Sequence, residues 1–345
     1  MEVRINERQE YDSSVSYLHN TRPFLSVSEM KQALPNSLDL WEADTVHAWM
    51  SLHPWTDKLL PNLPFRPMIR SLFEPSETNA MKATDYQHQL IVVNTLTRML
   101  WSVKEFEASP VNDLVRGTQS LKGSKMNIQE VLDQFLALRA PAQNDSSKTA
   151  ISSVVRKSQI IHMSHLYGAG DLMDWIRPLL RGGSDAEAAR RRAEDWGRQD
   201  LVRLRSVAYH SAQVLSLLRR YIQNEPLEAF NVFHAGIVLW CVAGLLSYDR
   251  RTTVLNGSQL RDSAYRLDAT SSSRQGMSHA DRDWIQNGRA SVVFLHGVPD
   301  LCCARGQVQV LEQTVEILGN MHVWGIAQNF LLVISQILQR EGGTV

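Results

Sequence analysis

The sequence predicts an all-α protein built as a single large, irregular domain of many packed helices. Apolar residues recur at steps of three and four along most of the chain, which is the spacing of one face of a helix. Proline, glycine and asparagine separate these stretches, whereas the alternating pattern typical of strands is rare. The chain has 345 residues, 43% of them hydrophobic, and this is enough to bury a substantial core.

Composition also divides the chain into regions. We expect residues 1–22, which are polar, to form a flexible N-terminal segment and residues 23–345 to form the helical domain. A surface loop or subdivision is expected near 140–148, where proline, asparagine and serine cluster. Residues 250–283 are rich in serine, arginine and aspartate, and loops of this length are uncommon inside compact domains. We therefore expect partial disorder there.

Several helix starts are predicted from polar side chains that can accept hydrogen bonds from the free N–H groups of a first turn. A Ser followed three residues later by a Glu has the spacing of a capping box. The predicted capping positions are Ser26 with Glu29, Ser184 with Glu187, Asn127 and Asp171.

The stretch from Arg198 to Tyr248 is predicted to form two helices and a turn. In the first helix the apolar residues fall on one stripe, and the polar residues are expected to flank it or to face away. Asn224-Glu225-Pro226 ends this helix, because proline disfavours helical geometry at the residue before it. The stripe comprises Leu201, Leu204, Ala208, Ala212, Leu215 and Leu218, and the polar set comprises Arg203, Arg205, Gln213, Arg219 and Arg220.

The second helix of the pair, residues 227–246, is apolar nearly all round. From Val232 to Leu246 its only strongly polar side chain is His234, which is typical of a helix buried on most of its circumference. A membrane span needs ~20 apolar residues. Since this run is shorter and is flanked by charged residues, we predict a core helix and no membrane contact. Gly236 and Gly244 would allow neighbouring helices to approach closely.

The residues of this pair resemble the fungal-specific transcription factor domain, the large regulatory region downstream of zinc DNA-binding modules in fungal transcription factors. The resemblance rests on a helix that ends in a basic and aromatic group, a turn containing proline, and an apolar helix bearing a tryptophan. It extends over most of the chain. Its segments are Pro23-Phe24, Leu40-Trp41, Trp49, Tyr209-His210-Ser211-Ala212-Gln213, Arg219-Arg220-Tyr221, Phe233-His234-Ala235-Gly236-Ile237-Val238-Leu239-Trp240, Trp284-Ile285 and Trp324-Gly325.

This resemblance implies the regulatory domain of a fungal RNA polymerase II transcription factor, located in the nucleus and acting by protein–protein and effector binding. It implies no catalytic residue, no cofactor-binding residue and no metal ligand in this chain. Zinc is expected only in an upstream DNA-binding module that these residues do not contain. The implied partners are DNA through that module and co-regulator proteins, and the resemblance leaves a homodimer and a small-molecule effector open.

Zinc within this chain is disfavoured by the sequence itself. A structural zinc site takes four ligands, usually from closely spaced pairs of Cys and His. The chain has no Cys-x-x-Cys, and Cys302 and Cys303 are adjacent. His162 and His165 share one helix face, but no second pair lies near them in the sequence. We therefore interpret these residues, together with His210 and His234, as ordinary polar or core histidines.

The arginine-rich segment from Arg181 to Arg220 is the one local case for nucleic-acid contact, since the whole chain has 36 basic and 36 acidic residues. Arg190-Arg191-Arg192 could contact phosphate. However, Glu187 with Arg191, and Glu194 with Arg198, have the i,i+4 spacing of ion pairs on a solvated helix. We predict the solvated face.

Two other classes of function remain as alternatives. One is a stand-alone helical binding protein without DNA-binding activity. The other is an all-α enzyme of the terpene-cyclase kind, which needs clustered aspartates to hold Mg²⁺ and diphosphate. The available aspartates are only the pairs Asp171 with Asp174 and Asp281 with Asp283, and caps or surface roles explain both.

The aromatic side chains are expected to anchor the core. An apolar pocket between helices, lined by Trp175, Phe230, Phe233 and Trp240, is a further hypothesis because small molecules bind in such places. The predicted core anchors are Trp41, Trp49, Tyr209, Phe233, Trp240, Trp284 and Trp324.

Overall fold

The computed structural model describes residues 12–13, 15–16, 44–52, 65–73, 86–107, 118–138, 148–255, 261–269, 277–321 and 324–342. These residues are helical almost throughout, which confirms the predicted all-α class. The helices are α1 (Val46–Leu52), α2 (Phe65–Ser71), α3 (Tyr86–Glu107), α4 (Thr118–Ala137), α5 (Lys148–Gly168), α6 (Met173–Arg181), α7 (Ser184–Gln199), α8 (Leu201–Arg220), α9 (Pro226–Leu255), α10 (His279–Asn287), α11 (Ala304–Gly319) and α12 (Gly325–Gly342). The strands are β1 (Arg261–Arg266) and β2 (Ala290–Phe294), which pair in parallel.

The chain divides into two compact units, and the boundary between them falls within α5. The first unit comprises Met1–Ser13 and Pro23–Ile160, and the second comprises Ser14–Arg22 and Ile161–Val345. Most of the predicted N-terminal segment and of the predicted loop at 140–148 lies outside the described residues. The single domain over 23–345 stays a prediction.

In the first unit, α3 packs against α4. Leu96 and Leu132, one from each helix, are completely buried. Lys157 of α5 is also buried in this unit, where its ammonium donates to Gln89 Oε1 and to the carbonyl of Leu138, each at 2.9 Å. Burial lowers the pKa of Lys157 to about 8, since the charged form loses water. The buried cation is thus held by neutral oxygen acceptors.

In the second unit, α8 and α9 pack side by side, α9 packs on α11, and α11 packs on α12. The predicted apolar stripe of α8 is confirmed from Leu204 onward, where each member is buried. The prediction is wrong for Leu201, which is 36% exposed at the first turn of the helix. Asp200 caps that turn, because its carboxylate accepts from the N–H of Arg203 at 2.9 Å.

Two glycines bring α9 and α11 close together. A Cβ on Gly236 would overlap the side chain of Thr314, which is completely buried on α11. A Cβ on Gly244, two turns further along α9, would overlap the side-chain amide of Gln307. These contacts agree with the predicted close approach of a neighbouring helix at both glycines. We call this contact between α9 and α11 the glycine seam.

The turn between α8 and α9 follows the predicted break. Asn224 adopts a left-handed φ of 60°, and Pro226 is the first residue of α9, where its missing N–H costs no hydrogen bond. The buried carboxylate of Glu228 accepts from the N–H groups of Gln223 and Glu225 at 3.0 and 3.3 Å. The turn is therefore fixed by α9 itself.

One helix in the described part of the chain is long and apolar enough to cross a membrane, namely residues Pro226–Ser247 of α9. The expectation that this run is too short to cross a membrane is thus wrong, because the apolar stretch has 22 residues. Burial still favours the predicted core helix, since 89% of the most apolar part of this stretch is buried inside the protein. α9 is a core helix, and His234 within it is completely buried.

The region predicted as a polar loop, 250–283, contains regular structure. α9 continues to Leu255 rather than ending near residue 246, and β1 forms over Arg261–Arg266. β1 is polar in sequence and owes its strand geometry to pairing with β2, 25 residues or more further on, with Tyr265 beside Val293. Such a partner is invisible in the local pattern. Residues 256–260 and 270–276 lie outside the described residues.

Three of the predicted caps are wrong. α6 is preceded by Leu172, so Asp171 makes no cap, and Asn127 lies within α4 rather than at its start. Ser184 is the first residue of α7 and not its cap, because Gly183 occupies that position with a left-handed φ of 82°. The Ser26 and Glu29 pair lies outside the described residues. A capping box does form at α10, between Ser278 and Asp281.

Candidate functional site

A row of polar side chains along α8 points into the interior of the second unit and not toward water. Its spacing of four, four, three and three residues places it on one face of the helix. Arg205 and Gln213 were predicted to flank the apolar stripe or to face away, and at 7% and 8% exposure they are buried and do not face water. We call this row the polar stripe. It comprises Arg205, Tyr209, Gln213, Ser216 and Arg219.

Arg205 holds the end of α10. Its guanidinium donates from Nε to the carbonyl of Ile285 at 2.8 Å and from Nη2 to the carbonyl of Gln286 at 3.0 Å. Carbonyls in the last turn of a helix have no partner inside the helix, and the helix dipole also favours a cation there. The side chain therefore both satisfies α10 and balances its partial charge.

Gln213 and Ser216 hold the segment that follows β1. Gln213 Nε2 donates to the carbonyls of Leu267 and Ala269 at 2.8 and 3.2 Å, and Ser216 Oγ donates to the carbonyl of Asp268 at 3.3 Å. Three consecutive backbone carbonyls are thus satisfied by α8. Because these groups lie where the chain turns away from the sheet, strand pairing alone cannot satisfy them.

The carboxylate of Asp268 lies at the end of the polar stripe and is 1% exposed. It accepts from Arg266 Nε at 2.7 Å and from the N–H of His296 at 3.0 Å, and Arg219 Nη1 lies 3.8 Å away. Burial opposes the charged form, but these donors outweigh burial and hold the pKa of Asp268 below its ordinary value. Asp268 therefore ties β1, the loop after β2 and α8 together as a charged group.

Tyr209 joins the polar stripe to the cap of α10. Its hydroxyl lies 3.4 Å from Asp281 Oδ2, and the hydroxyl of Tyr265 donates to Asp281 Oδ1 at 2.7 Å. The ring of Tyr265 stacks on Trp284, with centroids 4.9 Å apart. Burial, the hydrogen bond and the charge of Asp281 all raise the pKa of Tyr265, so it stays a hydroxyl donor.

Three histidines meet beside the polar stripe, and we call them the histidine cluster. His162 and His165 come from α5 and His210 comes from α8. The Nδ1 atoms of His162 and His210 are 2.8 Å apart, and the rings of His165 and His210 stack at 3.9 Å with 6° between their planes. All three are at most 6% exposed. Burial, together with the two neighbouring histidines, lowers the pKa of His210 well below its ordinary value.

The histidine cluster has the composition of a metal site but not its geometry. Stacked parallel rings point their nitrogen lone pairs in parallel directions, whereas metal ligands converge on one point. Within the described residues, no group of three or more His, Cys, Asp or Glu side chains is arranged to hold a metal ion. The sequence placed His162 and His165 on one face but gave no sign of His210, which is 48 residues from His162.

The four aspartates considered for diphosphate chemistry have other roles where the structure places them. Asp281 is buried and accepts from two tyrosines and from the cap of α10, while Asp283 accepts from Asn287 at 2.7 Å. Asp174 is exposed on α6, and Asp171 is half-buried in the preceding turn. Asp281 therefore has both carboxylate oxygens engaged within its own surroundings.

The arginine face of α7 is solvated, as the sequence predicts. Arg190, Arg191 and Arg192 are exposed. Glu187 lies 3.5 Å from Arg191, and Arg198 bonds Glu194 at 2.8 Å. The helix has four arginines against four acidic residues, so it carries no net charge.

The predicted core anchors are buried where the structure describes them, with one exception. Phe230 and Phe233 pack on Phe330 of α12, with ring centroids 5.2 and 4.2 Å apart. Trp324 is only half-buried, and its indole N–H donates to the carbonyl of Asn224. Trp41 lies outside the described residues, and Trp49 lies on α1. The buried anchors are Tyr209, Phe233, Trp240 and Trp284.

Taken together, the described residues of the second unit form a helical core whose polar side chains on α8 satisfy backbone carbonyls of the same unit. Comparison with known proteins finds a relative called Transcription factor 1, from the fungus Elsinoe fawcettii. It is 22% identical over 250 residues, which cover 67% of this chain. This chain spans 25% of the relative's length.

No protein-family model matches the chain, and no solved structure matches it. The similarity to Transcription factor 1 indicates a distant relation to a protein named as a fungal transcription factor.

Proposed function

We propose that this chain is the regulatory region of a fungal RNA polymerase II transcription factor, acting in the nucleus through binding. The similarity to Transcription factor 1 across two thirds of the chain carries this proposal. Base reading belongs to a zinc module outside these residues. Co-regulator proteins, a second copy of the chain and a small-molecule effector are the partners that such a region would take.

The positions of the family-like residues support the proposal. Two central segments of the resemblance, Tyr209–Gln213 and Phe233–Trp240, lie on α8 and α9, which pack together in the second unit. A core of this kind is rigid, so a partner bound at its surface can be held in a fixed orientation relative to an attached DNA-binding module. The neutral charge of α7 supports the assignment of DNA contact to another module.

The proposal is tested by fusing the full chain to a heterologous DNA-binding module that has one defined site upstream of a reporter gene. We expect the fusion to raise or lower reporter transcription relative to the DNA-binding module alone. The matched controls are fusions of the variants Gly236→Ala, which disrupts the glycine seam, and Gly123→Ala, which meets open space on α4. Only Gly236→Ala should remove the effect. A folded nuclear fusion that leaves transcription unchanged would contradict the proposal.

Direct DNA contact is tested on the purified chain with random duplex DNA. At ~50 mM salt, where phosphate contacts are strong, we expect no binding. Tight binding with a steep salt dependence would instead make α7 part of the DNA-contacting surface. The triple variant Arg190→Ser, Arg191→Ser and Arg192→Ser would then weaken that binding, while the single variant Arg340→Ser, on α12 and outside this helix, should leave it nearly unchanged.

A further inference from the structure

The geometry of the histidine cluster limits how many protons two of its rings can carry on the edge where they meet. Two Nδ1 atoms 2.8 Å apart, on His162 and His210, require one proton between them, because two lone pairs or two N–H groups at that distance repel. One ring therefore donates and the other accepts. Protonating the accepting Nδ1 would break this hydrogen bond and place two N–H groups face to face. The pair is thus stable only while it holds a single proton on this edge.

The third ring makes a second charge costly. His165 lies flat against His210 with centroids 3.9 Å apart, so an imidazolium on either ring faces its neighbour at close range. The cluster is almost dry, with His210 only 1% exposed. Water cannot screen the repulsion of two cations there. The geometry therefore resists a second proton between the two Nδ1 atoms and a second charge within the stacked rings.

The charges that act on His210 do not offset this resistance. The charges acting on His210 are those of His165 and His162, and both oppose its protonation. Tyr209 borders the cluster on α8, with its ring edge toward both His162 and His210. The acid on α10, Asp281, is engaged with Tyr209, Tyr265 and the cap. The buried titratable side chains of α9 include Glu228 and His234, and neither is among the charges acting on His210.

We propose that the histidine cluster is a proton-operated latch between α5 and α8. With neutral imidazoles it holds residues 161–168 of α5 against α8, and proton uptake in mild acid repels the rings and releases that segment. The release reaches the polar stripe, because Tyr209 lies between the histidine cluster and Asp281. This inference goes beyond the proposed function and does not depend on it.

The direction of the pH effect follows from the buried state. Protonation is disfavoured in the folded cluster, so the unfolded or released segment binds more protons below the ordinary histidine pKa near 6.5. The latch is therefore at full strength above that pH and weakens as the pH falls below it. One proton taken up per opening event weakens protection by roughly tenfold per pH unit.

The test is hydrogen exchange of the full chain at about pH 7.5 and about pH 5.5, corrected for intrinsic rates. We expect the amides of residues 161–168 and of α8 near His210 to lose protection in acid, while α11 keeps its protection. His210→Gln retains a neutral polar side chain and should abolish the pH response. His47→Gln, an exposed histidine of α1, should leave the response unchanged.

Two outcomes would overturn the proposal. One is equal protection of 161–168 at both pH values in the natural chain, and the other is the same acid loss in His210→Gln. If His210→Gln does not fold, NMR titration of the ring nitrogens in the natural chain decides. The latch requires His210 to stay neutral until 161–168 opens, so titration near its ordinary pKa in a closed helix contradicts it.

Discussion

The two helices at the centre of the second unit contact their neighbours in opposite ways. α9 meets α11 through the glycine seam, where the absence of side-chain volume at Gly236 and Gly244 sets the distance. α8 meets β1 and α10 through the polar stripe, where long side chains reach backbone carbonyls at 2.8 to 3.3 Å. The seam is limited by volume, most tightly at Gly236, where an added Cβ would meet the Thr314 side chain. The stripe instead depends on the direction of its hydrogen-bond donors.

The largest effect is expected when volume is added to the seam. Gly236→Ala places a methyl group into the buried Thr314 side chain and should destabilise the protein by about 3 kcal/mol, because overpacking outweighs the gain in helix propensity. The measurement is urea unfolding followed by circular dichroism. Combining it with Thr314→Ala should restore part of the loss. Additive losses in the double variant would show that Thr314 is not the obstacle.

Removing donors from the stripe comes next. Gln213→Leu fills similar space but leaves the carbonyls of Leu267 and Ala269 without this donor, and we expect a loss of about 2 kcal/mol. Exchange of the amides in 261–269 should increase more than exchange in α11. Gln328→Leu, at an exposed position of α12, is the matched control and should be close to neutral. Equal unfolding midpoints for the two variants would contradict the role of Gln213.

The charged end of the stripe adds a pH dependence that the seam lacks. The folded pKa of Asp268 is depressed, so its contribution to stability is present above its ordinary pKa of about 3.8 and is lost as the pH falls through the folded value. Asp268→Asn should lower stability by about 1 to 2 kcal/mol at neutral pH. It should also flatten the decline in acid. Unfolding midpoints across the acid range measure both, and an unchanged acid slope would exclude Asp268 as its source.

The smallest effect is expected at a helical glycine that no neighbouring helix approaches. Gly123 lies within α4, exposed, and a Cβ there meets nothing within 4 Å. Gly123→Ala should therefore raise stability by about 0.5 to 1 kcal/mol through helix propensity and reduced freedom of the unfolded chain. Thermal unfolding of this variant beside Gly236→Ala distinguishes a glycine required for close packing from one that only lowers helix stability. A loss in both would show that volume at Gly236 is not the cause.

The helix pair could be predicted because its signal is local. Steps of three and four in α8, the apolar run of α9 and the break at Pro226 all lie within a few residues of what they determine. Gly236 could be interpreted in the same way, since a glycine inside an apolar helix has few uses other than close approach.

The polar stripe could not be predicted in this way. A polar residue beside an apolar stripe is normally exposed, and nothing in the local sequence distinguishes Arg205 from Arg220. What buries Arg205 is a pair of carbonyls 80 and 81 residues away, and backbone carbonyls leave no mark in composition. The strand β1 was missed for the same reason. The histidine cluster could be predicted only in part: the sequence shows that His162 and His165 share a helix face, but not that His210 of another helix joins them.

The long separations in the polar stripe also order events during synthesis. The hydrogen-bonding partners described above for the stripe follow it in the chain, from 52 residues later for Ser216 to 81 residues later for Arg205, and Arg219 also bonds Gln313, 94 residues later. At ribosomal speeds of about 5 to 20 residues per second, α8 leaves the ribosome roughly 3 to 20 seconds before those partners do. The apolar side of α8 can meet α9 in that interval, while its polar side waits in water. The hydrogen bonds of the polar stripe therefore form only after the segments that follow α9 have been made.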